Sequence, residues 1–173
     1  MVLTTPAFEP VRYGLVGFGR FCQHRLIPAF SQIAGSKIVV LYKRDNRAAI
    51  QAAEEYKVEA GYGDLDALLG DPQVEAVYIT SANSDHESQS IAAARAGKHV
   101  LCEKPLATSA AGCQRIIDAC REANVCLMVA QTLRYSPAVL QLKKWLSEGR
   151  LGNIVRASAA FHYDGSQSPR TWL

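Results

Sequence analysis

No stretch of this chain approaches the roughly 18 consecutive apolar residues that a membrane-spanning helix needs. Residues 1–10 also lack a basic end followed by an apolar core, so neither a membrane anchor nor a secretory leader is expected. Blocks of like charge are missing too. The 19 Lys and Arg exceed the 16 Asp and Glu by three, and the excess is scattered, which indicates neither a nucleic-acid footprint nor a membrane-binding stripe. The five cysteines (Cys22, Cys102, Cys113, Cys120, Cys126) are odd in number and form no C-x-x-C pair. That usage argues for reduced thiols in a cytoplasmic protein rather than disulfides or zinc. The four histidines show no H-E-x-x-H spacing, so no metal site is expected.

What is present is ordinary globular material: 173 residues, 49 % apolar and 20 % charged. Such a chain buries about two-thirds of its unfolded surface, enough for one domain and part of another. Short β-rich runs alternate with helical stretches, the pattern of an α/β fold with a parallel sheet covered on both faces. The expected strands are Val11 to Val16, Lys37 to Lys43, Ala60 to Tyr62, Val74 to Thr80, Lys98 to Cys102 and Val125 to Ala130. Asn46 is expected to cap a helix over Arg47 to Tyr56, and Ser84-Asp85-His86-Glu87 reads as a capping box opening a helix that Gly97 ends. Gly70, before Asp71-Pro72, is expected to close the helix Leu65 to Leu69 in a left-handed conformation.

Beyond Ala130 the texture changes. Arg134-Tyr135-Ser136-Pro137 is a break, Ala138 to Ser147 an amphipathic helix, and Gly149-Arg150-Leu151-Gly152 a turn. A strand, Ile154 to Tyr163, is then expected to put Val155, Ala157, Ala159, Phe161 and Tyr163 on one face and Arg156, Ser158 and His162 on the other. The residues after it are too few to complete a sheet. The organisation expected is residues 1–133 as one domain and 134–173 as the start of an incomplete second domain, as in a fragment or truncated gene.

Two segments carry chemistry. Gly17-Phe18-Gly19 directly follows the first strand and precedes Arg20-Phe21, the start of a helix. Gly17 permits a tight turn, and Gly19 lets backbone amides approach a pyrophosphate at the helix start. A third small residue belongs at position 22, where Cys22 is larger than glycine or alanine. A glycine pair alone often marks only a turn. Here the second strand ends in Tyr42-Lys43-Arg44, where an adenine ribose would lie. A carboxylate there favours NAD; two cations favour the 2′-phosphate of NADP, with NAD kept as the alternative by Asp45. The plainer reading is a solvated basic pair at a strand end. The second segment is Glu103-Lys104-Pro105 after the fifth strand. An ammonium at the carboxyl edge of a sheet can donate to an alkoxide-like oxygen, with Glu103 as its neighbour, although a surface Glu-Lys pair before a proline turn is common.

The run Ala96-Gly97-Lys98-His99-Val100-Leu101-Cys102-Glu103-Lys104-Pro105, with Arg134-Tyr135-Ser136-Pro137 and Gly149-Arg150-Leu151-Gly152-Asn153-Ile154, resembles the Gfo/Idh/MocA family of NAD(P)-dependent oxidoreductases. The resemblance covers about Val11 to Arg156. It implies a Rossmann-type doubly wound parallel sheet, followed by the start of an α+β substrate domain. It further implies hydride exchange between a nicotinamide and a secondary alcohol or carbonyl of a sugar, cyclitol or related polyol. Lys104 takes the catalytic position at the reacting carbon, and Pro105 the position of a cis proline. Taken with the glycine loop and the basic pair, the residues expected to bind the cofactor are Gly17, Phe18, Gly19, Arg20, Phe21, Lys43, Arg44, Ser81, Asn83, His86, Glu103, Lys104 and Arg134.

The sequence departs from the family in two places. Ser81-Ala82-Asn83 stands where Thr-Pro-Asn is usual, and no Gly-Gly-Gly…Asp…His segment occurs in these 173 residues. His162 does not match that histidine and reads as a strand surface residue. Alternative readings are a non-catalytic dinucleotide-binding module or subunit and, more weakly, a homo-oligomer joined through the open strand.

Overall fold

The computed structural model describes residues 9–160. Six parallel strands form one sheet: β1 (Val11–Val16), β2 (Ser36–Tyr42), β3 (Ala60–Tyr62), β4 (Ala76–Ile79), β5 (His99–Cys102) and β6 (Leu127–Val129). Their spatial order is β3-β2-β1-β4-β5-β6. The chain therefore winds outward from β1 in one direction, returns to the centre, and winds outward in the other. This is the expected doubly wound Rossmann-type sheet, and its order reverses between β1 and β4, where such folds open a crevice.

Strand alternation divides the core in two. One face carries Val16, Val77, Ile79, Val100 and Cys102 against helices α3 (Leu65–Gly70), α4 (His86–Arg95) and α5 (Ala110–Glu122). The other carries Leu15, Ile38, Leu41 and Tyr78 against α1 (Ile27–Phe30) and α2 (Asn46–Tyr56). The β1–β2 register slips by one residue at Val39, so that Val39 and Val40 both fall on the first face.

Several local expectations are corrected. Asp45, not Asn46, caps α2: its Oδ1 accepts from the Ala48 amide at 2.8 Å, while the Asn46 side chain accepts from the Gly63 amide at 3.0 Å. Ser84 caps nothing. Its hydroxyl donates to Asp85 Oδ1, and Glu87 pairs with Arg115 of α5 instead of turning back on its own helix. Gly70 stays within α3, and the helix ends at Asp71 in extended backbone because the Asp71 side chain is held by the Tyr62 hydroxyl and the Gln73 amide. Gly97 does take the left-handed conformation, φ +74°, after α4.

At the amino edge of the sheet, the Lys98 ammonium donates to the carbonyls of Asp71 and Val74 at 2.9 and 2.8 Å. It fastens the start of β5 to the turn before β4.

The chain divides into two compact units between Gln131 and Thr132. In the second, a 3-10 turn (Thr132–Tyr135) leads to α6 (Pro137–Ser147), whose first turn is capped by Ser136 Oγ. Residues 154–160 form no strand and are exposed. A strand needs a neighbouring edge to take up its amides and carbonyls, and among the described residues these find none. Phe161, His162 and Tyr163 lie outside the described residues. Among the described residues, no helix is long and apolar enough to cross a membrane.

Candidate functional site

Four strands end together. Val16 is in register with Tyr42 and with Ile79, and Ile79 with Cys102. Register alone therefore brings Gly17, Lys43, Thr80 and Glu103 to one edge of the sheet. The backbone continues the ladder one step further: Thr80 N–H donates to the Val16 carbonyl at 2.8 Å and Glu103 N–H to the Ile79 carbonyl at 2.9 Å.

The glycine loop turns sharply over this edge. Gly17 has φ +90°, and the amides of Gly17 and Phe18 both donate to the Tyr42 carbonyl. A Cβ on Gly17 would lie 2.6 Å from the backbone N and Cα of Ser81, so position 17 admits no side chain. Gly19 faces the other way: a Cβ there would meet nothing within 4 Å. Open space over a glycine backbone at a helix start is the cradle a pyrophosphate needs. Phe18, by contrast, buries its ring against Tyr56 at 5.1 Å, leaving only its backbone to the loop. Arg20 and Phe21 are exposed.

Cys22 occupies the third small-residue position and is fully buried. The Thr80 hydroxyl donates to the Gly17 carbonyl at 2.9 Å, and the Cys22 thiol lies 3.0 Å from the Thr80 oxygen. Burial pushes this thiol above its ordinary pKa, so it remains an S–H donor. Over Cys22–Leu26 the helix widens to a π turn, with the Ile27 amide reaching back to the Cys22 carbonyl. The wider turn gives the larger side chain its place beneath the loop.

At the second strand end, the Lys43 amide donates to the Tyr62 carbonyl, and the Arg44 side chain is exposed. Asp45 is occupied as the cap of α2.

At the fifth strand end, Glu103 is half-buried and Lys104 exposed, before a cis peptide bond to Pro105. Glu103 Oε1 accepts from the Tyr78 hydroxyl at 2.9 Å, and Oε2 from the backbone amide of Lys104 at 3.2 Å. Among the described residues the Lys104 ammonium enters no ion pair within 4.0 Å, so Glu103 holds the lysine by its backbone rather than its charge. Burial, reinforced by the hydrogen bond to Glu103 and its charge, pushes the Tyr78 phenol far above its usual range.

Tyr78 was not foreseen as a site residue. The signal for it was a phenol within an otherwise apolar central strand, where a buried hydroxyl requires a partner.

The remaining expected residues divide. The Ser81 hydroxyl is taken by Gln89 Oε1 at 2.5 Å, and Asn83 is exposed in the turn before α4. His86 is 1 % exposed, with both ring nitrogens against carbonyl oxygens, those of Pro105 and Ser81. Arg134 belongs to the second compact unit.

Sheet order, glycine turn and aligned strand ends define a dinucleotide-binding Rossmann fold. Comparison with known proteins narrows this. The profile of the Gfo/Idh/MocA family, described as "Oxidoreductase family, NAD-binding Rossmann fold", matches residues 11–131. The chain belongs to this family. A 1,5-anhydro-D-fructose reductase of Ensifer adhaerens is 35 % identical over 87 % of this chain and 45 % of its own length. An inositol 2-dehydrogenase of Acidothermus cellulolyticus is 36 % identical over 87 % and 44 %. The crystal structure of an NAD binding oxidoreductase from Klebsiella pneumoniae, 35 % identical, superposes with a TM-score of 0.75 over 83 % of this chain and 40 % of its own. The chain thus spans less than half the length of these relatives.

Proposed function

We propose that this chain is the cofactor-holding part of an NAD(P)-dependent dehydrogenase or reductase acting at a secondary alcohol or carbonyl of a sugar, cyclitol or related polyol. The observation that carries the reading is the shared edge: an open glycine at position 19 and the Lys104 turn sit on aligned strand ends on either side of β4. The sugar and cyclitol class follows from the reductase and inositol dehydrogenase relatives.

Gly17, Gly19 and the start of the following helix would hold the pyrophosphate, and Lys43 and Arg44 the adenosine end. When bound, the nicotinamide accepts or donates the hydride. Lys104 donates a hydrogen bond to the oxygen of the reacting carbon, steadying negative charge there as it develops. Glu103 holds the backbone from which that ammonium extends. NADP is the preferred cofactor on this reading, because Lys43, half-buried, and Arg44, exposed, are adjacent cations while the nearby carboxylate, Asp45, is committed to its helix.

Titration calorimetry with NADP and NAD tests the binding. Turnover by these 173 residues alone is expected to be slow, since they carry Lys104 but no Gly-Gly-Gly…Asp…His segment. Residual nicotinamide reduction that depends on Lys104 and is confined to sugars and cyclitols supports the reading. Failure of both cofactors to bind the folded chain overturns it.

A further inference from the structure

His86 opens α4, so the helix fixes its Cα while the ring reaches back toward the strand ends. Its Nδ1 lies 2.7 Å from the Pro105 carbonyl oxygen, and its Nε2 lies 3.2 Å from the Ser81 carbonyl oxygen. A neutral imidazole has one N–H. The 2.7 Å contact is a full hydrogen-bond distance, and a bare nitrogen lone pair facing an oxygen that closely would be repelled. The proton therefore belongs on Nδ1. Neither nitrogen is left for a ligand.

The two carbonyls are informative. Ser81 is the residue against which Gly17 turns, with the missing Cβ only 2.6 Å from its backbone. Pro105 is the residue directly after Lys104. Gly17, Ser81, His86 and Pro105 thus form one unbroken line of contacts from the glycine loop to the lysine turn.

We infer that His86 is a positioning residue: through Nδ1–H it ties the Lys104 turn to the start of α4, which follows the loop that supports Gly17, without touching the cofactor itself. Lys104 follows strand β5, which is separated from β1 by β4, so strand pairing sets the height of the turn but not its direction beyond the sheet. The His86–Pro105 bond supplies that direction. The importance of the direction rests on the reading of Lys104 as the lysine at the reacting carbon.

The test uses the ¹⁵N-labelled chain. Long-range ¹H–¹⁵N spectra of the unmodified protein are expected to show His86 protonated at Nδ1, and a ring bare at Nδ1 overturns the inference. The variants His86→Asn and His86→Gln separate the two contacts, because the Asn amide overlays Nδ1 and the Gln amide overlays Nε2. His86→Asn is expected to keep the Lys104 backbone amide resonance and the NADP affinity. His86→Gln should shift the resonance and weaken NADP about twofold to tenfold, as loss of one neutral hydrogen bond does. Identical Lys104 resonances in the two folded variants would also overturn it. If NADP does not bind the unmodified chain, the dinucleotide reading fails; the tautomer and the Lys104 resonance still decide the clamp. Should both variants misfold, the tautomer alone decides.

Discussion

The Tyr78 hydroxyl donates to Glu103 Oε1 at 2.9 Å, from a central strand position that is 5 % exposed. The aromatic body fills the core on the α1 and α2 face while its tip reaches the turn that carries Lys104. Tyr78→Phe removes only the tip. Because the acceptor is a carboxylate, the loss is expected to be about 1.5–3 kcal/mol, read as a lower urea midpoint with unchanged slope. A midpoint equal to that of the unmodified protein would show that water replaces the phenol at no cost.

Alkaline pH should destabilise the protein. Burial pushes the Cys102 thiol up to about 11 from an ordinary 9.0 and moves Tyr78 upward as well, so the folded state favours the neutral form of both. The unfolded chain gives up these protons first. The stability contributed by Cys102 is therefore complete below about pH 9 and is lost as pH rises through about 11. Denaturation midpoints measured from pH 8 to 11 should fall over this window, and Cys102→Ala should flatten the part due to the thiol.

The two loop glycines should fail in different ways. Gly17→Ala forces a side chain into a left-handed backbone and against the Ser81 main chain, so it should destabilise the fold by several kcal/mol. Gly19→Val meets open space and should leave melting nearly unchanged while abolishing cofactor binding. Circular dichroism and nicotinamide fluorescence separate the two, and undiminished binding in folded Gly19→Val would make the loop only a turn.

Replacing Lys43 and Arg44 together by alanine should remove most of a preference for NADP over NAD. A charge-assisted contact to the 2′-phosphate contributes about 1.5–3 kcal/mol, roughly tenfold to hundredfold in affinity. Equal affinities of the unmodified chain for the two cofactors would dispose of the claim.

Much of this was legible in the sequence because strands and glycine turns are set locally. Val11 to Val16 and Ala60 to Tyr62 fall where the period places them, and Gly17 lies at the turn its neighbours demand. The misplaced details depend on partners distant in sequence. Asn46 is drawn from capping by Gly63, Glu87 from a capping box by Arg115, and Asp71 ends α3 because Tyr62 and Gln73 hold it. The roles of Tyr78 and His86 were hidden for the same reason. An apolar-looking strand residue and a histidine at a helix start gain their meaning only from Glu103, Ser81 and Pro105, which the fold delivers to them.

Lys98 and Lys104 belong to one short signature, yet β5 runs between them and sets them at opposite ends of the sheet. The ammonium of Lys98 is spent on two backbone carbonyls, whereas that of Lys104 is exposed. The signature is therefore two independent tenants at the ends of one strand, a rivet and, on the proposed reading, a tool. A lineage that changed its chemistry would be free to lose the second lysine while retaining the first, and a database search tuned to the whole motif would not distinguish such a descendant's working parts from its inherited carpentry.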